Sequence, residues 1–218
     1  MHQLKQKGFT LVEIAIVLVI VGLLIGGVLK GQEMITNAKL KRIESDNAGI
    51  AAAMFSYQDR YLQLPGDDIG AADRFTIYGG NAFADGDGSG VIDGIWNVTP
   101  TTDILAAATV ETNLFFAHLR ASGLVAGDGV DDTKPSNAYG GIIGVQDGAL
   151  LIAGTVTIFG GIDGPVARII EGRLDDGAPD TGRIQSETSP GPMTPGTAST
   201  DGAFGYVDSG RYDMAFRI

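Results

Sequence analysis

The chain has no cysteine among its 218 residues. Disulfides, thiolate zinc sites, iron–sulfur clusters and cysteine nucleophiles are excluded together. Two histidines, His2 and His118, are too few for a histidine-rich metal or acid–base centre. Lys and Arg number 15 against 26 Asp and Glu, giving a formal net charge of −11. A basic surface that neutralises phosphates is not expected, so neither is direct nucleic-acid binding. GxSxG, HExxH and P-loop motifs are missing, and nothing in the order of residues places a nucleophile beside a base. The expectation is a protein that is not an enzyme. What is present is apolar residue, 44% of the chain, enough for a sizeable core. Glycine is plentiful too: 33 residues, about twice the ordinary share of ~7%. Set beside many Asp, it predicts long turns and loops.

Residues 9–29, FTLVEIAIVLVIVGLLIGGVL, hold one charge, Glu13, and no proline. A bilayer core of ~30 Å needs about 20 apolar residues at ~1.5 Å rise, so this run can span it. A secretory signal would be shorter, with an apolar stretch of about 7–15 residues and a small-x-small cleavage site after it. Here Lys30 and then Lys39, Lys41 and Arg42 follow. Lys5 and Lys7 precede the run, and the positive-inside rule keeps that end cytoplasmic. The later cluster argues the reverse from further away. A carboxylate inside an apolar helix costs roughly 2.5–3.5 kcal/mol at mid-membrane. Glu13 is therefore either an interfacial residue, where that cost falls, or a charge awaiting a partner.

Lys7-Gly-Phe-Thr-Leu-Val-Glu13, followed by the apolar run, resembles the class III signal of type IV prepilins and pseudopilins. The resemblance implies cleavage by a membrane prepilin peptidase between Gly8 and Phe9, with residues 1–8 as the leader. It implies N-methylation of Phe9. It also implies that Glu13 neutralises the N-terminal amine of an adjacent copy during assembly. Opposite charges in a low-dielectric filament core attract strongly, and an unpaired one is heavily penalised. One departure is the missing proline about twenty residues into the mature chain: Val28-Leu-Lys-Gly31 stands there instead. Gly22, Gly26, Gly27 and Gly31 could loosen the helix, at up to ~1 kcal/mol each.

The helical pattern continues past the apolar run. Ile35, Ala38, Ile43, Asn47, Ile50, Met54, Tyr57 and Tyr61 recur every three to five residues, with polar residues between. Leu64-Pro65-Gly66 ends the helix, so one element is predicted over residues 9–64, about 80 Å long, with 9–29 transmembrane. Its second half must lay a stripe on a globular head, residues 65–218. In that head, helices are predicted over 110–119, stopped by Gly123, and over Gly164–Leu174 with Pro165 in the first turn. Strands are predicted over Ala149–Phe159 and Arg211–Ile218, and a loop over 187–203. The fold class is α+β and type IV pilin-like: a long N-terminal helix on a head with a small antiparallel sheet and Gly/Asp-rich loops. Glu111–Leu124 and Leu174–Gly182 resemble segments of cysteine-containing pilins, with Phe116 where tryptophan is usual.

Asp85-Gly-Asp-Gly-Ser-Gly-Val-Ile-Asp93 follows the first nine positions of an EF-hand loop. Asp85, Asp87, Ser89 and Asp93 supply oxygens, Val91 its carbonyl, and Gly90 the sharp turn. Trp96 stands where the bidentate Glu belongs. Calcium is expected here, with an acidic solvated turn as the plain alternative. Asp175, Asp176 and Asp180 form a second oxygen cluster, read first as a capped turn. Asp128–Asp132 reads as a turn, Asn97-Val-Thr99 as a weak glycosylation acceptor, and His118 as a packed histidine bonded through one nitrogen.

These residues lead to one reading: a structural subunit of a type IV pilus or related filament. It begins in the bacterial inner membrane with its N-terminus cytoplasmic. It ends in an extracellular filament or a periplasmic pseudopilus. The implied partners are the membrane, copies of itself, the prepilin peptidase/methylase and the inner-membrane assembly machinery. Two alternatives stand: a minor pilin or type II secretion pseudopilin, and a single-pass anchored extracytoplasmic binding module.

Overall fold

The computed structural model describes residues 9–75, 84–98, 110–129, 133–191, 193–201 and 205–218. The first element, α1, spans Leu11–Tyr61. The chain divides into two compact units, Met1–Lys39 and Leu40–Ile218.

In the first unit every residue from Leu11 to Leu29 is exposed. It includes the one helix among the described residues that is long and apolar enough to cross a membrane. The helix passes Gly22, Gly26, Gly27 and Gly31 without a break. Over residues 11–29, with apolar residues on every face, it has no polar side to turn to water.

In the second unit α1 becomes one-sided. Leu40, Ile43, Ile50, Ala53, Met54 and Tyr57 are buried, three to four residues apart for the most part. Each large apolar side chain gains roughly 1.5–3 kcal/mol on burial. Ile35, expected in this stripe, is 60% exposed, because it precedes the globular unit. Leu62 leaves the helix at φ 57, and Pro65 prevents its resumption.

Short α2 (Ala71–Arg74) follows, and then α3 (Glu111–Ala121). Beyond them come β1 (Ile143–Ala149), β2 (Ile152–Asp163), α4 (Gly164–Leu174), β3 (Ile184–Thr188) and β4 (Arg211–Arg217). The four strands form one antiparallel sheet in the order β1-β2-β4-β3, so the α+β expectation with a small antiparallel sheet holds.

Two strands differ from the sequence reading. The apolar run from Ala149 does not start one strand; it holds the turn between two. Ala149 pairs with Ile152 across Leu150 and Leu151. Leu150 takes φ 51, a conformation that Gly or Asn usually supplies. It is tolerated because Leu150 is 2% exposed in the core and Leu151 N–H donates to Gln185 Oε1 at 2.9 Å. β3 lies partly in the stretch read as loop, since its Gln, Ser, Glu and Thr carry little apolar signal. It pairs Ile184–Thr188 with Tyr212–Phe216.

The sheet is covered on both faces. One face packs Phe159, Tyr212, Met214 and Phe216 with Ile43, Tyr57, Phe115 and Ile170. The other packs Val156, Ile158 and Ala215 with Trp96 and Met193. Ala215 and Asp213 of β4, which alternate with Tyr212, Met214 and Phe216, are therefore buried beneath loops. Asp213 is satisfied there by Gly161 N–H at 2.8 Å and Gly191 N–H at 2.7 Å. Trp96 needs the glycines beneath it: a Cβ at Gly160 would lie 2.7 Å from its ring.

Candidate functional site

Thr10 stands one residue before α1 and Glu13 at the third helical position. Thr10 N–H donates to Glu13 Oε2 at 2.9 Å, and so does the Thr10 hydroxyl, also at 2.9 Å. Glu13 N–H donates to Thr10 Oγ1 at 3.3 Å. This is a capping box, in which residues N-cap and N3 satisfy each other's amides. Glu13 thus has an intrachain role that the sequence reading did not include: it starts the helix. One carboxylate oxygen serves the cap, and among the described residues the negative charge is in no ion pair. Phe9 is 83% exposed next to it. Gly8 and the leader, residues 1–8, lie outside the described residues.

The Asp85–Asp93 loop is arranged differently from an EF-hand. Two buried carboxylates from outside it take its amides. Asp67, 1% exposed, accepts Ser89 N–H at 2.9 Å on Oδ1 and Gly90 N–H at 2.7 Å on Oδ2. Glu111, at the start of α3, accepts Asp87 N–H and Asp93 N–H, each at 2.9 Å. Burial pushes the Glu111 carboxyl above the usual carboxylate range; the two amides oppose this and the charges of Asp67 and Asp87 reinforce it. One oxygen each of Asp67, Asp87 and Glu111 falls within 4.8 Å of the others. Asp87 is thus brought to Asp67 and Glu111. Asp85 instead accepts Ala72 N–H at 2.7 Å, and Asp87 accepts Ser89 N–H at 2.8 Å. Asp93, Ser89 and Val91 enter through their place in the loop, Asp93 and Ser89 with an amide. Sequence spacing could not have found Asp67 and Glu111, which lie 18 and more residues from the loop's two ends.

In the second cluster, Asp176 forms the expected turn: it accepts Ala178 N–H at 3.0 Å and the Thr181 hydroxyl at 2.6 Å. Asp175 Oδ2 accepts the amides of Arg183 and of Ile184, the latter at 2.7 Å. The third carboxylate brought to this pair is Glu171 of α4, in place of Asp180. A signal for Glu171 was present: it shares the buried face of α4 with Val166, Ala167 and Ile170.

His118 is packed as expected, but through both nitrogens. Nδ1 accepts Gly66 N–H at 3.0 Å, and Nε2 lies 3.1 Å from Ala84 O, so the proton sits on Nε2. Burial lowers its pKa to about 4. Asn97 contacts Gly191 O at 3.5 Å; Thr99 lies outside the described residues, as do Asp131 and Asp132.

Neither a curated protein nor a solved structure matches the chain. One family model does: the prokaryotic N-terminal methylation motif, over residues 3–29. That interval holds Gly8, Phe9 and Glu13 and ends where the uniformly apolar part of α1 ends. The chain thus carries a type IV prepilin-like signal, which supports a type IV pilin-like or pseudopilin-like protein with its N-terminal helix as a membrane anchor.

Proposed function

We propose that this chain is a structural subunit of a type IV pilus or related filament. The observation that carries the reading is the stretch 11–29 of α1: apolar on every face, holding one carboxylate, Glu13, directly behind the Gly8–Phe9 junction of a methylation motif. In the membrane, lipid covers this helix. In a filament, copies of the same helix cover one another by head-to-tail contacts that do not close, which generates a fibre. Glu13 then sets the register, because only one stagger brings it to a neighbour's Phe9 amine. The second unit, acidic and rich in buried carboxylates, faces outward. A minor pilin or pseudopilin would use the same helix, with fewer copies or a filament confined to the periplasm.

Processing provides the test. The full chain is produced with a prepilin peptidase, and its intact mass and N-terminal sequence are measured. The expected product begins at Phe9 and carries one added methyl group on its amine. A chain that still begins at Met1 in the presence of an active peptidase overturns the reading and leaves a membrane-anchored binding module.

A further inference from the structure

The C-terminal end of α4 collects negative charge, and among the described residues its carboxylates Glu171, Asp175 and Asp176 are in no ion pair. Glu171, in the last turn, is wholly buried, and its Oε1 has no hydrogen-bond partner. Its Oε2 is 3.4 Å from the Tyr206 hydroxyl, which is itself engaged at 2.7 Å with Ser186 Oγ. One carboxylate oxygen of Glu171 lies within 4.8 Å of one on Asp175 and one on Asp176. The carbonyl end of α4 points the same way and adds partial negative charge, where a cation is favoured and a carboxylate is not. The basic residue of that turn, Arg173, is paired with Glu44 at 3.5 Å. Burying a carboxylate without a counter-charge costs several kcal/mol. Burial first, and then the charges of Asp175 and Asp176, push the Glu171 carboxyl up to about 8.

We propose that Glu171, Asp175 and Asp176 bind a calcium ion at the end of α4. Hard carboxylate oxygens select Ca²⁺ or Mg²⁺ over softer metals. Donors from one helix turn and one irregular loop suit the adaptable six- to eight-fold shell of calcium better than the strict octahedron of magnesium. The ion gives Glu171 Oε1 the partner it lacks. It also fixes an edge of the sheet: Asp175 holds the amides of Arg183 and Ile184, where β3 begins. The exposed Asp176 leaves the ion a route from solvent.

The test uses the full chain in detergent at pH 7.5, with thermal melts and titration calorimetry against CaCl₂ and against a chelator. At calcium ten times the Kd, which for an extracellular site is about 10⁻⁴–10⁻³ M, the melting temperature rises by roughly 3–5 °C. Glu171→Gln keeps the shape and loses the shift. Asp176→Asn, on the surface, keeps an oxygen for the Ala178 amide and weakens calcium binding at least tenfold. Asp87→Asn leaves the shift intact. The proposal is overturned by a wild-type chain that calcium does not shift, by a shift that survives in Glu171→Gln and Asp176→Asn, or by one that Asp87→Asn abolishes. The last result would move the ion to the Asp67, Asp87 and Glu111 group. None of these outcomes depends on whether the chain assembles into filaments.

Discussion

Glu13→Gln is expected to abolish filament assembly while leaving the monomer folded and in the membrane. Glu13 holds two functions that this substitution separates. As a cap it accepts the Thr10 amide, and a glutamine carbonyl can do the same. In the proposed filament its charge neutralises a neighbour's Phe9 amine, which glutamine cannot do. Removing one partner of a buried ion pair costs about 3–5 kcal/mol, because the other is left uncompensated. Repeated at every subunit contact, a loss of at least ~100-fold in each association constant prevents a fibre from growing. Glu13→Ala removes both functions and assembles no better. Thr10→Val removes the reciprocal cap at a cost of about 1 kcal/mol, keeps the charge, and still assembles. Filament yield from cells expressing each variant reads this out. Normal yield for Glu13→Gln together with loss for Thr10→Val would mean that capping, not charge pairing, is what assembly requires.

Raising the pH from 6.5 to 8 in chelator is expected to destabilise the globular unit by about 2 kcal/mol, an alkaline loss carried by Glu171. Two buried groups shape the profile. Glu171, at about 8, lies above the ordinary 4.5, so between those values the native state holds the extra proton and stability falls as pH rises. His118, at about 4, lies below the ordinary 6.5, so between those values the unfolded chain holds the extra proton and stability falls as pH drops. From about 4.5 to 6.5 the slopes oppose each other and cancel. Of the two, only Glu171 acts above 6.5, at ~1.4 kcal/mol per pH unit until it is ionised. Urea denaturation at pH 6.5 and pH 8 measures it. Glu171→Gln flattens this alkaline limb. A variant that kept the full alkaline loss would assign it to another group. Calcium, if it sits at Glu171, flattens the same limb in the wild-type chain.

How much of this was legible in the sequence depends on how local each signal was. The first helix was readable because its 21-residue run carries a single charge and has one reason to be so apolar, and the Gly8–Phe9–Glu13 spacing is specific. α4 was readable from Pro165 and the apolar spacing of Val166 and Ile170. The β1–β2 turn was not, because it is made of Leu150 and Leu151, and the strain at Leu150 is held by core burial and by Gln185. Nor could β4 be seen as buried on both faces: Asp213 and Ala215 are covered by loops that contribute Trp96 and Met193 from far along the chain. The acidic clusters were half legible. Asp87, Asp175 and Asp176 stood out in Gly-rich turns. Of their buried partners, Glu111 and Glu171 come from α3 and α4 and Asp67 from the loop between α1 and α2, and only folding brings them in.

The measurement that tests the filament reading most directly uses the missing cysteines. Since the chain has none, any disulfide between copies must come from residues introduced for the purpose. Pairs are introduced along residues 11–29, for example Leu11→Cys with Leu24→Cys, and oxidised in cells that contain the assembly machinery. Head-to-tail packing of the N-terminal helices predicts that at least one pair yields a ladder of trimers and larger species. Either cysteine alone would yield no more than dimers, and the ladder would disappear in Glu13→Gln. If every pair gives only monomers and dimers, the helix is an anchor and the chain is not a filament subunit.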